Sequence, residues 1–187
     1  MGKKLSEMTL EELWALFPIV LTEHQEDWAR WYREEAALLR ELAGPDARIS
    51  HIGSTAIKGI WAKPIVDILI ELPDPAALAE TGRAMSAAGY IMMNQSEGRA
   101  SFNKGYTEEG FAQRVFHLHL RLRGDHDELY FRDYLNACSE AAKAYEALKL
   151  GLWKDYEHDR DGYTRQKAEI VAEYTAQGKE RFPNRYS

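Results

Sequence analysis

Leu10, Leu13, Trp14 and Phe17 recur at helical spacing behind Thr9 and Glu12, a pair that forms a capping box. Pro18 ends that run. The same period returns from about His24 to Ala43, where Trp28, Trp31, Tyr32, Leu38, Leu39 and Leu42 make an apolar stripe that Gly44-Pro45-Asp46 stops. The pattern then changes. Residues 48–52 read as a short strand, a Gly53-Ser54 turn follows with one or two helical turns to Gly59, and 65–72 read as a second strand. Its run Ile-Val-Asp-Ile-Leu-Ile barely alternates, which predicts a central strand covered on both faces. Pro73-Asp74-Pro75 ends it, and 75–88 read as a helix with Leu78, Met85 and Ala88 facing inward before a stop at Gly89.

Two short strands are expected at 90–93 and 100–102 around a turn at 95–99, with a polar loop at 105–110. Residues 115–122 form a strong strand whose alternation puts His117 and His119 on one face. After Glu128 the chain reads as helical. Ser139 caps one helix, with Ala141, Tyr145, Leu148, Leu152 and Tyr156 on its stripe. Asp159 or Asp161 opens the last, with Tyr163, Ile170, Val171 and Tyr174 inward. Periodicity therefore gives an α/β or α+β class: a small mixed sheet flanked by helices, with C-terminal helices closing over one side.

The length of 187 residues and a 45% hydrophobic content suit a single domain with a full core over 1–187. Residues 1–22 read as an N-terminal helical extension and 128–178 as the C-terminal helices. The single Cys138 excludes an internal disulfide and points to a reducing cytoplasm, as a structural thiol. Met1-Gly2-Lys3-Lys4 lacks the apolar stretch of a signal peptide, and no apolar run approaches a membrane span. A net charge of −6 argues against broad nucleic-acid binding. Arg114, Arg121 and Arg123 near the histidine strand suggest a locally positive region.

The chemistry concentrates in two places. Gly53 lets backbone come close to a ligand, N–H groups of a turn opening a helix can hold phosphate, and Ser54 adds a donor. Asp67 is a carboxylate inside an apolar strand and needs a partner: a metal ion on one reading, Lys63, a histidine or backbone N–H groups on the other. His117 and His119, two apart on a strand, can jointly bind metal or phosphate, or one can act as a general base. A His/His/Asp set suits a transition metal better than magnesium. Lys63 can reach an anion or neutralise Asp67. Trp28, Trp31 and Tyr32 read as core, and Glu34-Glu35 as a solvated helix face.

The wording His51-Ile52-Gly53-Ser54-Thr55-Ala56, continued by Ala62-Lys63-Pro64-Ile65 and Asp67-Ile68, resembles the GrpB family, a branch of the nucleotidyltransferase superfamily. The resemblance continues in His117-Leu118-His119-Leu120, in 130–135 and in 159–164. It implies a nucleotidyltransferase-like mixed sheet, a nucleotide or other phosphorylated small molecule as ligand, and a divalent metal (Mg, Mn or Zn). Asp67, His117 and His119 would be the catalytic and metal-binding residues. His51, Gly53, Ser54, Lys63, Arg132, Tyr163 and Lys167 would hold the phosphate or base, with Lys149 beside them. Plain helix-surface ion pairs, Arg132 with Asp133 or Glu128 and Lys167 with Asp161, are the competing reading of the C-terminal residues. The superfamily's first metal carboxylate falls at Ile65, which cannot bind metal, and Glu71 is four residues beyond Asp67, about 13 Å along a strand. The resemblance thus supports an enzyme, or a non-catalytic binding protein that keeps the phosphate cradle. Other GrpB domains are fused to a dephospho-coenzyme A kinase, which by analogy suits a protein partner in cofactor metabolism.

Overall fold

In the computed structural model, which describes residues 3–186, the capping box forms as expected. Glu12 N–H donates to the Thr9 hydroxyl and the Glu12 carboxylate accepts from Thr9 N–H, opening α1 (Leu10–Leu16). Met1 and Gly2, part of the polar start read above, lie outside the described residues. The second helix, α2 (Asp27–Ala43), starts three residues later than the periodicity suggests and ends at Gly44, whose φ of 79° suits glycine. Then come β1 (Arg48–Ile52), a single 3₁₀ turn (Ser54–Ala56), β2 (Ile65–Leu72) and α3 (Pro75–Ala87), the last capped by Asp74. A meander β3 (Ile91–Ser96), β4 (Arg99–Thr107) and β5 (Gly110–Leu122) leads into α4 (Asp127–Ala137), α5 (Ser139–Trp153) and α6 (Arg160–Arg181). Asp159 caps α6, accepting from Gly162 N–H. Among the described residues no helix is long and apolar enough to cross a membrane.

The five strands form one mixed sheet in the order β1-β2-β5-β4-β3. Among the described residues only β2 and β5 are parallel, and they sit inside the sheet. Register separates the faces. Val66, Ile68, Ile70 and Leu72 align with Phe116, Leu118, Leu120 and Leu122, and Leu118 and Leu120 with Phe102 and Ala100. This face packs on Trp28, Trp31 and Leu39 of α2 and Leu78 and Met85 of α3. The opposite face carries Asp67 and Glu71, His117, His119 and Arg121, Ser101 and Asn103. The helices α4, α5 and α6 pack together on a second cluster that includes Phe131, Leu135, Tyr145 and Tyr174.

Several sequence expectations are corrected. The loop at 105–110 is instead a hairpin end, with Tyr106 paired to Phe111 and Thr107 to Gly110. The strands at 90–93 and 100–102 are longer, and the turn between them shrinks to Glu97-Gly98. Ala88 and Leu38 are exposed, while Thr81 and Gly82 take the inward places on α3. Glu35 is no solvated charge: it is buried, accepting from the Tyr90 hydroxyl at 2.5 Å and from Lys104 Nζ at 2.7 Å. Cys138, not Ser139, holds the N-cap position of α5. The arginines do not cluster. Arg114 pairs with Glu34, and Arg123 donates to the Asp46 carbonyl.

Candidate functional site

Asp67 lies in the middle of β2 with His117 directly across from it on β5. His119 is one pleat further on the same face. Its Nε2 lies 3.1 Å from Asp67 Oδ1, and His117 Nδ1 lies 3.5 Å from the same oxygen. Both rings therefore address one carboxylate oxygen. Burial opposes the Asp67 charge, but hydrogen bonds from His117 and His119 outweigh it and hold the carboxyl well below the usual range. Burial pushes the His117 ring down from its ordinary value, against Asp67. The other edge of His117, Nε2, meets the Tyr106 hydroxyl at 2.7 Å, and Arg160 Nη1 donates to that hydroxyl at 2.9 Å. Among the described residues, no group of three or more His, Cys, Asp or Glu side chains is arranged to hold a metal ion. Asp67 and the histidines instead meet as hydrogen-bond partners.

The Gly53 turn is built against this carboxylate. Its φ of 72° with ψ of −174° is a region that only glycine enters readily. A Cβ at residue 53 would sit 2.5 Å from Asp67 Oδ2. Glycine is thus required twice, by backbone conformation and by the approach to Asp67. His51 lies behind the turn. Its ring stacks on Tyr32 with centroids 4.8 Å apart, and its Nε2 lies 2.9 Å from the Thr55 hydroxyl. Burial pushes its pKa down to about 4, with Arg132 and His24 helping, so at neutral pH it is an uncharged buttress.

On the other side of Asp67 stand residues from the C-terminal helices. Tyr163, the first-turn tyrosine of α6, is 1% exposed, and its hydroxyl has no hydrogen-bond partner. Lys167 Nζ lies 4.2 Å from the Tyr163 ring centroid and Lys63 Nζ 5.7 Å from it. Buried Lys149 donates to the Trp61 carbonyl. Burial pushes Lys63 down to about 8, and Lys149 and Lys167 to about 7. Their mutual repulsion adds to the effect: Lys167 acts on Lys149, and Lys63 acts on both. Asp67 raises Lys63 and Lys167, and Glu146 raises Lys149. Ser54 lies beside the Tyr145 hydroxyl, whose pKa burial pushes up to about 12. Turn, lysines and orphan hydroxyl thus form a basic cluster beside Asp67. Two hollows open along the polar face beyond it. One, about 640 Å³, runs between α4 and α6 with Lys167 on its wall; the other, about 300 Å³, lies over β3, β4 and β5 beside His119.

The sequence-predicted residues therefore divide. Gly53, Ser54, Lys63, Asp67, His117, His119, Tyr163 and Lys167 share one region. His51 supports it from behind. Arg132 is occupied, donating to the His51 carbonyl at 2.9 Å, to Asp133 at 2.8 Å and to the Tyr186 hydroxyl at 2.9 Å. It ties α4 and the C-terminal tail to β1, as the ion-pair reading with Asp133 anticipates. Lys167 lies over the Tyr163 ring rather than paired with Asp161. Glu71 is buried and accepts from Gly124 N–H at 3.2 Å, with His126 Nδ1 at 2.7 Å, well away from Asp67. Tyr106 and Arg160 were missed. Tyr106 lay in a presumed loop, and Arg160 gave no signal beyond its place beside the Asp159 cap.

A family model described as GrpB protein matches residues 18–177. The chain is 35% identical over 162 residues to the glutamate-rich protein GrpB of Alkalihalophilus pseudofirmus, covering 83% of this chain and 92% of that one. It is 33% identical over 177 residues to YqkA of Bacillus subtilis, covering 90% of this chain and 50% of the longer relative. The crystal structure of conserved protein GrpB from Enterococcus faecalis superposes with a TM-score of 0.76 at 25% identity, over 87% of this chain and 99% of that one. The Cid1 poly(U) polymerase, in a MgGTP-bound crystal structure, shares the fold at a TM-score of 0.50 and 12% identity, over 68% of this chain and 42% of that one. On a nucleotidyltransferase-like fold, this chain belongs to the GrpB family.

Proposed function

We propose that the chain binds a nucleotide or another phosphorylated small molecule beside the basic cluster between the Gly53-Ser54 turn and α6, and acts on it as a nucleotidyltransferase-like enzyme. The observation that carries this reading is the placing of Lys63 and Lys167 over the ring of buried Tyr163, whose hydroxyl has no hydrogen-bond partner, with buried Lys149 close enough to both lysines to be felt electrostatically. Lysines buried together with Asp67 and Glu146 to offset them favour an incoming anion, and a buried hydroxyl without a partner favours an acceptor. Phosphate oxygens supply both. The Gly53-Ser54 turn would hold phosphate from the opposite side.

Asp67, His117 and His119 would hold a divalent metal. As they stand the three meet as polar partners, with His119 Nε2 3.1 Å and His117 Nδ1 3.5 Å from Asp67 Oδ1, so a metal would have to displace these contacts to bind. A bound ion would supply Lewis-acid polarisation of a phosphoryl oxygen. Tyr106 holds the far edge of His117 and fixes its ring plane. The lysines would neutralise the departing phosphate, and burial beneath α6 would exclude water.

A second reading, a binding protein without turnover, is favoured by one observation. Ile65, where the superfamily's first carboxylate is expected, is buried and apolar. Calorimetric titration with a nucleotide panel, each member with and without magnesium, manganese and zinc, tests both. Metal-dependent binding lost in Asp67→Asn supports the enzyme. Metal-independent binding that survives Asp67→Asn but is lost in Lys167→Ala supports the binding protein. No binding of any nucleotide under any condition overturns both.

A further inference from the structure

Tyr106 lies on the unexpected side of its strand. Along β4, Phe102 joins the apolar core and Lys104 reaches Glu35 of α2, so alternation would send Tyr106 the same way. The register shift between Lys104 and Tyr106 reverses it, and the ring comes out on the polar face against His117. Gly105 makes the irregularity at a φ of 89°, where a Cβ would strike the Arg114 carbonyl oxygen. Phe17 and Phe111 clamp the Tyr106 ring, with centroids 4.7 and 5.2 Å away. Such breaks in a strand serve to re-aim one side chain, and here the re-aimed group is a hydroxyl.

The proton positions around that hydroxyl follow from counting donors. A guanidinium only donates, so the Tyr106 oxygen accepts from Arg160 Nη1 at 2.9 Å. That is the guanidinium's one hydrogen bond among the described residues, since Nε and Nη2 have no partner. An ionised carboxylate only accepts, so His117 Nδ1, 3.5 Å from Asp67 Oδ1, needs a proton to meet it favourably. Burial, Lys63 and His119 oppose a second proton on the His117 ring and outweigh Asp67, which favours one. Nε2 is then bare, and its 2.7 Å contact with Tyr106 is the hydroxyl donating to it. The opposite tautomer has two defects. It points the Nδ1 lone pair at a carboxylate, and it makes the Tyr106 oxygen accept twice while its own proton has no acceptor among the described residues.

We propose that Tyr106, tethered by Arg160, is a positioning residue that fixes the His117 tautomer. The chain runs from Arg160 to Tyr106 to His117 to Asp67, each group donating to the next. His117 thereby offers Asp67 a donor, both histidines load Oδ1, and Oδ2 is left beside the Gly53 turn. A metal ion at Nδ1 would need that proton moved to Nε2 and the Tyr106 bond reversed. The direction of the chain stands on hydrogen-bond geometry; its service to a ligand beside Asp67 rests on the function proposed above.

The test is a long-range proton–nitrogen-15 NMR correlation of the full chain at neutral pH. It shows which His117 nitrogen carries the proton and whether the bare one accepts a hydrogen bond. Wild type should show the Nδ1–H form in at least about tenfold excess, with Nε2 shielded by the Tyr106 hydroxyl. Tyr106→Phe keeps the ring and removes the donor, so the Nε2 signal should lose that shielding or the ring should pass to a mixture of tautomers. His119 is the control, since no hydrogen bond links it to Tyr106. In Asp67→Asn the Nδ1–H form should persist, because the donor at Nε2 remains. The proposal is overturned by a proton on Nε2 with Nδ1 bare, by a doubly protonated ring, by Tyr106→Phe leaving Nε2 unchanged or moving both histidines equally, or by Asp67→Asn passing the ring to the other tautomer. The wild-type spectrum decides the direction of the chain even where a variant does not fold. Calorimetric titration of nucleotides on the same sample tests the ligand reading separately, so either can fail alone.

Discussion

The two faces of the sheet are built from alternate residues of the same strands and have almost nothing else in common. On the face toward α2 and α3, Val66, Ile68, Ile70, Phe102, Leu118 and Leu120 are completely buried. The side chains one residue along carry Asp67, Glu71, Asn103, His117, His119 and Arg121. The first face is held by shape and the removal of apolar area from water. The second is held by paired polar groups, and hydrogen bonding is left incomplete at buried atoms of Tyr163, Arg121 and Arg160. One face thus accounts for most of the stability and leaves the other free to carry groups that would never be chosen for packing.

The largest expected effect lies on the apolar side. Phe102→Ala should lower unfolding free energy by about 3–5 kcal/mol in urea denaturation, through lost burial and the cavity left behind. A loss below about 1 kcal/mol would break the contrast. Next is Gly53→Ala, which forces a side chain into a glycine-only conformation and onto Asp67. It should cost about 1–3 kcal/mol and remove phosphate binding measured by calorimetry. Asp67→Asn keeps the shape and should cost no more than about 1–2 kcal/mol, while metal-dependent binding disappears. Complete unfolding of that variant would mean that the polar face holds the fold together after all.

Smaller effects sharpen the picture. Lys167→Ala removes a cation that others repel, so thermal stability should hold or rise while nucleoside triphosphate affinity falls about tenfold. The pH dependence has a definite sign. Folded Lys149 and Lys167 release protons near pH 7, against an ordinary lysine value of 10.5. The unfolded chain therefore binds more protons across that interval, and this contribution to stability should grow as pH rises from about 7 towards 10.5. The proposed phosphate binding would need the charged lysines and should run the other way. It should weaken from pH 6.5 to 9 and take up protons near pH 8, seen as a dependence of binding heat on buffer ionisation enthalpy.

Much of the fold was legible because local signals and packing agree. The Thr9 and Glu12 box, the Asp74 and Asp159 caps, and the unbroken apolar run of β2 each state their own structure. The meander was only partly legible. Residues 91–96 and 103–114 are rich in Asn, Gln, Lys and Glu, and they are strands because neighbours satisfy their backbone, not because their side chains alternate. The buried Glu35 was illegible for a related reason: its partners, Tyr90 and Lys104, lie 55 and 69 residues away. In the site, Asp67 and the histidines announced themselves as polar groups on apolar strands. Tyr106 and Arg160 carry no such sign, because their meaning arises only from what stands beside them.

The single parallel pairing, β2 with β5, has a kinetic consequence. His119 meets Asp67 across 52 residues of chain, and the two strands can join only after α3 and the β3–β4 hairpin have been laid down between them. A contact that closes so long a loop forms late, after the local hairpins and helices that shorten the search. The Asp67–His119 contact is therefore a product of the final stage of folding. Substitutions at Asp67 or His117 should mainly change how fast the finished molecule comes apart, leaving the rate at which it first assembles nearly untouched.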